Sequence, residues 1–243
     1  YDPNVWYIES KNLVERVRGG PLEDGQFLHT LGWFLMEMEM NERGEGGDYG
    51  AALQLYDQAL KVHERDRGPD HPSVAVILNG IAVILSMQYK KREALHLYGR
   101  VRAIREQQLG SDHPKVAAVL TNMGLLNYQL GGEDEAFDLY KKALKIYELA
   151  NDRSDPEAAN MHNNLGLMYR ERGEYGAALD HYLKALEIID RWYEADSPTR
   201  EAVIKNIDEV KYEMGMVPPV KRTEEGARRG TGGKGIGNGA LLR

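Results

Sequence analysis

Gly80, Asn122, Asn164 and Asn206 stand 42 residues apart, and each follows a further residue in phase: Asn79, Thr121, Asn163 and Lys205. A carboxamide offers both a donor and an acceptor, the pair that matches the N–H and C=O of an extended polypeptide. One such hydrogen bond nets only about 0.5–1.5 kcal/mol, so a series is needed for a binding surface. Asparagine also caps or solvates helix surfaces. That explanation suits a single residue better than three in register.

Other residues that resemble reactive groups lack the arrangement their chemistry needs. The stretch RRGTGGKGIGNG has the glycines and lysine of a phosphate-cradling loop, but that motif requires glycine where Arg228 stands and a hydroxyl where Gly235 stands. Histidines lie at 29, 63, 71, 96, 113, 162 and 181, with no pair in the H-E-x-x-H arrangement of a zinc helix. His71 and His113 belong to a repeated helix-entry phrase and are expected to cap or pack, whereas His181 takes the slot of Leu55, Leu97 and Leu139. Glu133-Asp134-Glu135 falls at a helix start, where carboxylates complement the helix dipole. Nothing in the sequence sets them in the buried surroundings that acid and base catalysis requires. The expectation is a non-enzymatic protein with no catalytic residues, no cofactor and no metal. Met36, Met38 and Met40, near Trp33 and Phe34, form a soft apolar surface that suits either a docking face or a core.

The elements that position the asparagines are marked by proline. Pro72, Pro114, Pro156 and Pro198 recur every 42 residues, preceded by Asp70-His71, Asp112-His113, Ser154-Asp155 and Asp196-Ser197. Proline at a first helical position fixes φ and gives up an amide that would be unpaired anyway, and a neighbouring Asp or Ser can accept from the next amides. After each proline comes an amphipathic stretch such as KVAAVLTNMGLLNY, then in three cases a second one such as EAFDLYKKALKIY. Ala52, Ala94, Ala136 and Ala178 are in phase, as are Tyr56, Tyr98, Tyr140 and Tyr182. A small residue lets two helices approach and the tyrosine fills the adjoining gap, so helix pairs can stack.

The phrase D-H-P-x-V-A, the L-x-N-x-G that follows it, and G-x-Y-x-x-A-x-x-x-Y-x-x-A-L together resemble the 42-residue tetratricopeptide repeat of kinesin light chains and nephrocystin-like relatives, over roughly residues 25 to 215. The resemblance implies an all-α, right-handed α-solenoid of antiparallel helix pairs, with first helices lining a concave groove. It also implies that the phased carboxamides look into that groove. The expected peptide-binding set is Asn79, Thr121, Asn122, Tyr128, Asn160, Asn163, Asn164, Arg170, Lys205 and Asn206. Basic groove residues in that family take acidic peptides. Here Arg170 and Lys205 stand beside Glu171, Glu209 and Glu213.

The boundaries read as an N-terminal helix over 1–21 from a preceding unit, repeat 1 over 22–69, and repeats at 70–111, 112–153 and 154–195. A capping helix over 196–215 and a basic glycine-rich tail over 216–243 follow. Repeat 1 carries an enlarged connection at NERGEGGD. Asp208 replaces the small residue supplied by Ala82, Gly124 and Gly166, which is tolerable where a terminal helix faces water.

Composition narrows the functional classes. The net charge is −7, and the tail carries six basic and two acidic side chains, +4, which leaves −11 on the rest. An acidic body is unsuited to nucleic acid, although the tail alone suits an acidic partner surface. No apolar run reaches the roughly 18 residues of a membrane span. The absence of cysteine fits a reducing, cytoplasmic setting. The expected function is a protein–protein interaction module that takes an extended peptide or partner segment. The alternatives are a structural subunit of a cytoskeletal or ciliary assembly, acting through its outer surface and tail, and the sensor array of a larger signalling protein.

Overall fold

The chain is known from a computed structural model, which describes residues 25–43, 49–150, 156–192 and 197–216. The expected N-terminal helix over 1–21, most of the enlarged connection after Arg43 and the tail beyond Met216 lie outside the described residues. Among the described residues all regular structure is helical: α1 (Gly25–Arg43), α2 (Gly50–Arg67), α3 (Pro72–Met87), α4 (Lys91–Leu109), α5 (Pro114–Gln129), α6 (Glu133–Leu149), α7 (Pro156–Glu171), α8 (Tyr175–Trp192) and α9 (Pro198–Glu213). Each odd-numbered helix up to α7 pairs with the helix that follows it, and α9 packs against α8. The chain divides into two compact units between Ser111 and Asp112. Helices α1 to α4 form the first, and α5 to α9 the second.

Helix starts follow the proline phrase with one change in detail. His71 Nδ1 accepts from the Ser73 amide at 3.2 Å, and His113 Nδ1 accepts from the Lys115 amide at 3.1 Å. The acceptor is thus the imidazole at the N-cap itself, and the preceding Asp stands one position too early for that amide. Ser197 caps α9 by position, without a side-chain bond.

The first helices of the second to fourth pairs, and α9, all end in one device. The amides of Lys90, Gly132, Glu174 and Met216 each return to a carbonyl five residues back at 2.9 Å, the closure of a Schellman turn. The residue before each of these amides has positive φ. It is Gly131, Gly173 and Gly215 in the later turns but Tyr89, at φ 60°, in the first.

In the third and fourth pairs, tyrosine over glycine sets the spacing of the hairpin, and in the second pair Ala82 stands at the glycine position. Tyr140 lies on Gly124 and Tyr182 on Gly166, so close that a Cβ at either glycine would sit 2.8 or 2.7 Å from the ring. Tyr56 meets Gly32 more loosely, at 3.4 Å from where a Cβ would stand, and makes its tight approach to Gly80 of the next first helix, at 2.7 Å. Tyr56, Tyr98, Tyr140 and Tyr182 are all fully buried. In the second unit they join one apolar cluster running from Val116 to Val210. The Tyr56 hydroxyl meets Met36 Sδ at 3.9 Å, which places Met36, of the methionine-rich surface, in the core. Asp208 is exposed on α9, as a terminal helix permits.

Candidate functional site

The phased residues of the first helices divide by burial. Asn122 is 1% exposed, Asn164 7%, Asn79 7% and Thr121 8%. These four are buried in the packing between helices. Thr121 shows what such a residue does: its hydroxyl donates to the Ala117 carbonyl at 3.0 Å and approaches Met161 Sδ on the next first helix at 3.1 Å.

The remaining members, in the second unit, are open or half-open: Tyr128, Asn160, Asn163, Arg170, Lys205 and Asn206. Four of them take part in a set of rungs between successive first helices. Tyr128 donates to Glu171 Oε1 at 2.6 Å. Asn206 Nδ2 donates to Asn163 Oδ1 at 2.9 Å. Arg170 Nη1 donates to Glu209 at 2.7 Å, and its Nε lies 3.2 Å from both oxygens of Glu213. Three of the four pairs are separated by 43 residues, one period plus one. Asn160 instead stays within its own helix, with Nδ2 3.3 Å from Glu157.

These rungs set the electrostatics of the face. Burial alone would lower the Arg170 pKa, but Glu209 and Glu213 outweigh it and hold the guanidinium charged. Burial and the Glu171 carboxylate both raise the pKa of Tyr128, so its hydroxyl remains a donor. The Tyr182 hydroxyl lies beneath, beside the Arg170 guanidinium but short of hydrogen-bonding geometry. The chemistry available is hydrogen bonding and one buttressed cation. Among the described residues no group of three or more His, Asp or Glu side chains converges as a metal site would require.

Sequence reasoning assigned the phase of the asparagines but not their depth, and it did not anticipate that Glu171, Glu209 and Glu213 are structural partners of the groups they neighbour. The signal for those pairs was present in the i to i+43 spacing. Also unnoticed was His162, buried in contact with His181.

A stack of helix hairpins with a polar face on its first helices is the build of a helical-repeat interaction scaffold. The chain belongs to the tetratricopeptide repeat family, whose model matches residues 45–107, 89–148 and 157–216. Its function at that level is protein–protein interaction, and its repeats have the kinesin light chain-type fold. Solved structures share the fold. BtubC (BKLC) from P. vanneervenii is 18% identical with a TM-score of 0.65, over 92% of this chain and 96% of that one. A Podosopora anserina protein of nearly identical kinesin light chain TPR-like repeats is 18% identical with a TM-score of 0.60, over 83% and 88%. Aspartyl phosphate phosphatase F from Bacillus subtilis is 14% identical with a TM-score of 0.64, over 85% of this chain and 51% of its own. No curated protein matches the sequence. Among the described residues no helix is long and apolar enough to cross a membrane.

Proposed function

We propose that the second unit binds an extended peptide segment of a partner protein on the shared face of α5, α7 and α9, through Tyr128, Asn160, Asn163, Arg170, Lys205 and Asn206. The observation that carries this reading is the row of half-open polar rungs. Pairs exposed to this degree contribute roughly 0–1 kcal/mol each, so a ligand can exchange them at little cost. Asn163 keeps its amide donors and Asn206 its carbonyl acceptor after they pair with each other, which is what a strand-like backbone needs. Asn79, Thr121, Asn122 and Asn164 support the face from beneath and do not touch the ligand.

The test is selection from a displayed peptide library, followed by affinity measurement with Asn163→Ala plus Asn206→Ala. Losing two net hydrogen bonds should weaken a selected peptide roughly five- to hundred-fold. Unchanged affinity sinks the reading. A second reading, a fixed subunit of an assembly held by its outer surface, draws on Leu149, Leu183 and Trp192, exposed large apolar residues on the second helices. Peptides whose binding responds to Leu183→Ser but not to the asparagine pair would favour it.

A further inference from the structure

The fourth repeat departs from its siblings at one interface. Where the earlier repeats have the in-phase leucines Leu78 with Leu97 and Leu120 with Leu139, this one has His162 on α7 and His181 on α8. The two imidazoles are in direct contact, with Nδ1 atoms 2.9 Å apart and ring centroids 5.1 Å apart. At that separation one Nδ1 must carry a proton and the other must not, because two N–H groups facing each other repel. A pair of leucines would meet no such condition.

We propose that the His162–His181 pair is a proton-operated latch between α7 and α8, closed by one shared Nδ1 proton and opened when the other Nδ1 is protonated as well. The surroundings favour neutral rings. His162 is 5% exposed, and burial, His181 and the Lys184 ammonium push its pKa down to about 4. Burial and Lys184 also lower His181, with Asp180 opposing. Other ionisable groups near the pair are few. Glu148 from α6 and Glu187 and Arg191 from α8 border the same cavity as His162, of about 480 Å³, and Glu187 is engaged with Arg191 at 2.6 Å. Tyr169 stacks on His181 at 5.2 Å and meets Phe137 of α6 edge-on at 5.1 Å. Opening the latch therefore loosens the contact of α7 with α6 as well as with α8. The cavity gives water a way to the ring as it takes its charge.

The sign follows from linkage. Both folded-state values lie below that of an unfolded histidine, so acidification protonates the unfolded chain first. The stability is present above the ordinary histidine range and is lost as pH falls through it. Each histidine held neutral makes the opening equilibrium up to ten-fold more favourable per pH unit below about 6.5.

The test is hydrogen exchange of α7 and α8 between pH 7.5 and 4.5, corrected for the intrinsic pH dependence of exchange, in wild type and in His162→Leu plus His181→Leu, with chelator present. The double substitution restores the leucine pair of the earlier repeats and should keep the fold. Wild type should lose protection in α7 and α8 by at least ten-fold more than the double variant across that range, while α3 and α4 behave alike in both. Equal loss in the two proteins overturns the latch. So does a wild-type pH effect that appears only when divalent metal is added, since the pair would then be a metal site. Should the double variant fold poorly, ring-proton NMR titration of wild type decides. Both histidines titrating in the ordinary range, with no exchange broadening in α7, would overturn the proposal.

Discussion

Replacing Gly166 with alanine places a methyl group 2.7 Å from Tyr182 Cε1, 2.8 Å from Cδ1 and 3.1 Å from Cζ. The ring has nowhere to go, since Tyr182 is fully buried within the apolar cluster of the second unit. Forced overpacking of this kind costs about 1–3 kcal/mol. Alanine in a helix interior recovers about 1 kcal/mol of backbone entropy relative to glycine. The net effect is therefore a destabilisation of up to about 2 kcal/mol. Gly99, inside α4, is the internal control, because a Cβ there meets no atom within 4 Å. Gly99→Ala should stabilise by about 1 kcal/mol, so the two identical substitutions should differ by about 1–3 kcal/mol. Thermal unfolding followed by circular dichroism should show this as a higher midpoint for Gly99→Ala, by about 2–4 °C, and a lower one for Gly166→Ala. If Gly166→Ala stabilised as much as Gly99→Ala does, the tyrosine-over-glycine contact would not set the hairpin spacing.

Two further outcomes follow from local backbone geometry. Tyr89→Gly should stabilise the first unit by about 1 kcal/mol in thermal or denaturant unfolding, because Tyr89 holds at φ 60° the left-handed position that glycine fills in the later turns, and its side chain is mostly exposed. His113→Ala should cost the second unit about 0.5–2 kcal/mol by removing the acceptor of the Lys115 amide, read as a lower denaturant midpoint with unchanged slope.

The fold was legible because its punctuation is chemical. Proline at the first helical position, glycine at the left-handed turn and tyrosine opposite a small residue each have one structural use here, and their 42-residue phase shows that the unit repeats. The N-cap was less legible. Asp, His and Pro are adjacent, and only the backbone shows that the imidazole accepts the amide. Burial on the first helices was the least legible feature. Neighbouring helix positions are about 100° apart around the axis, so Asn163 and Asn164 share a period yet one faces outward and the other inward. The phase of an asparagine therefore places it along the helix but does not establish exposure. The charged rungs were hidden for a related reason, since Arg170 and Glu213 look like neighbours of a groove until the 43-residue spacing pairs them across it. His162 read as one of several scattered histidines, although Leu120 and Leu78 hold its place one and two periods earlier.

The most direct measurement of the proposed binding face is a chemical-shift map of the chain with a library-selected peptide. Binding as proposed should concentrate the shifts at Tyr128, Asn163, Arg170, Lys205 and Asn206, and Asn163→Ala plus Asn206→Ala should move the midpoint of the titration to roughly five- to hundred-fold higher peptide concentration. Shifts confined to Leu149, Leu183 and Trp192 on the second helices, and unaffected by that double substitution, would contradict it.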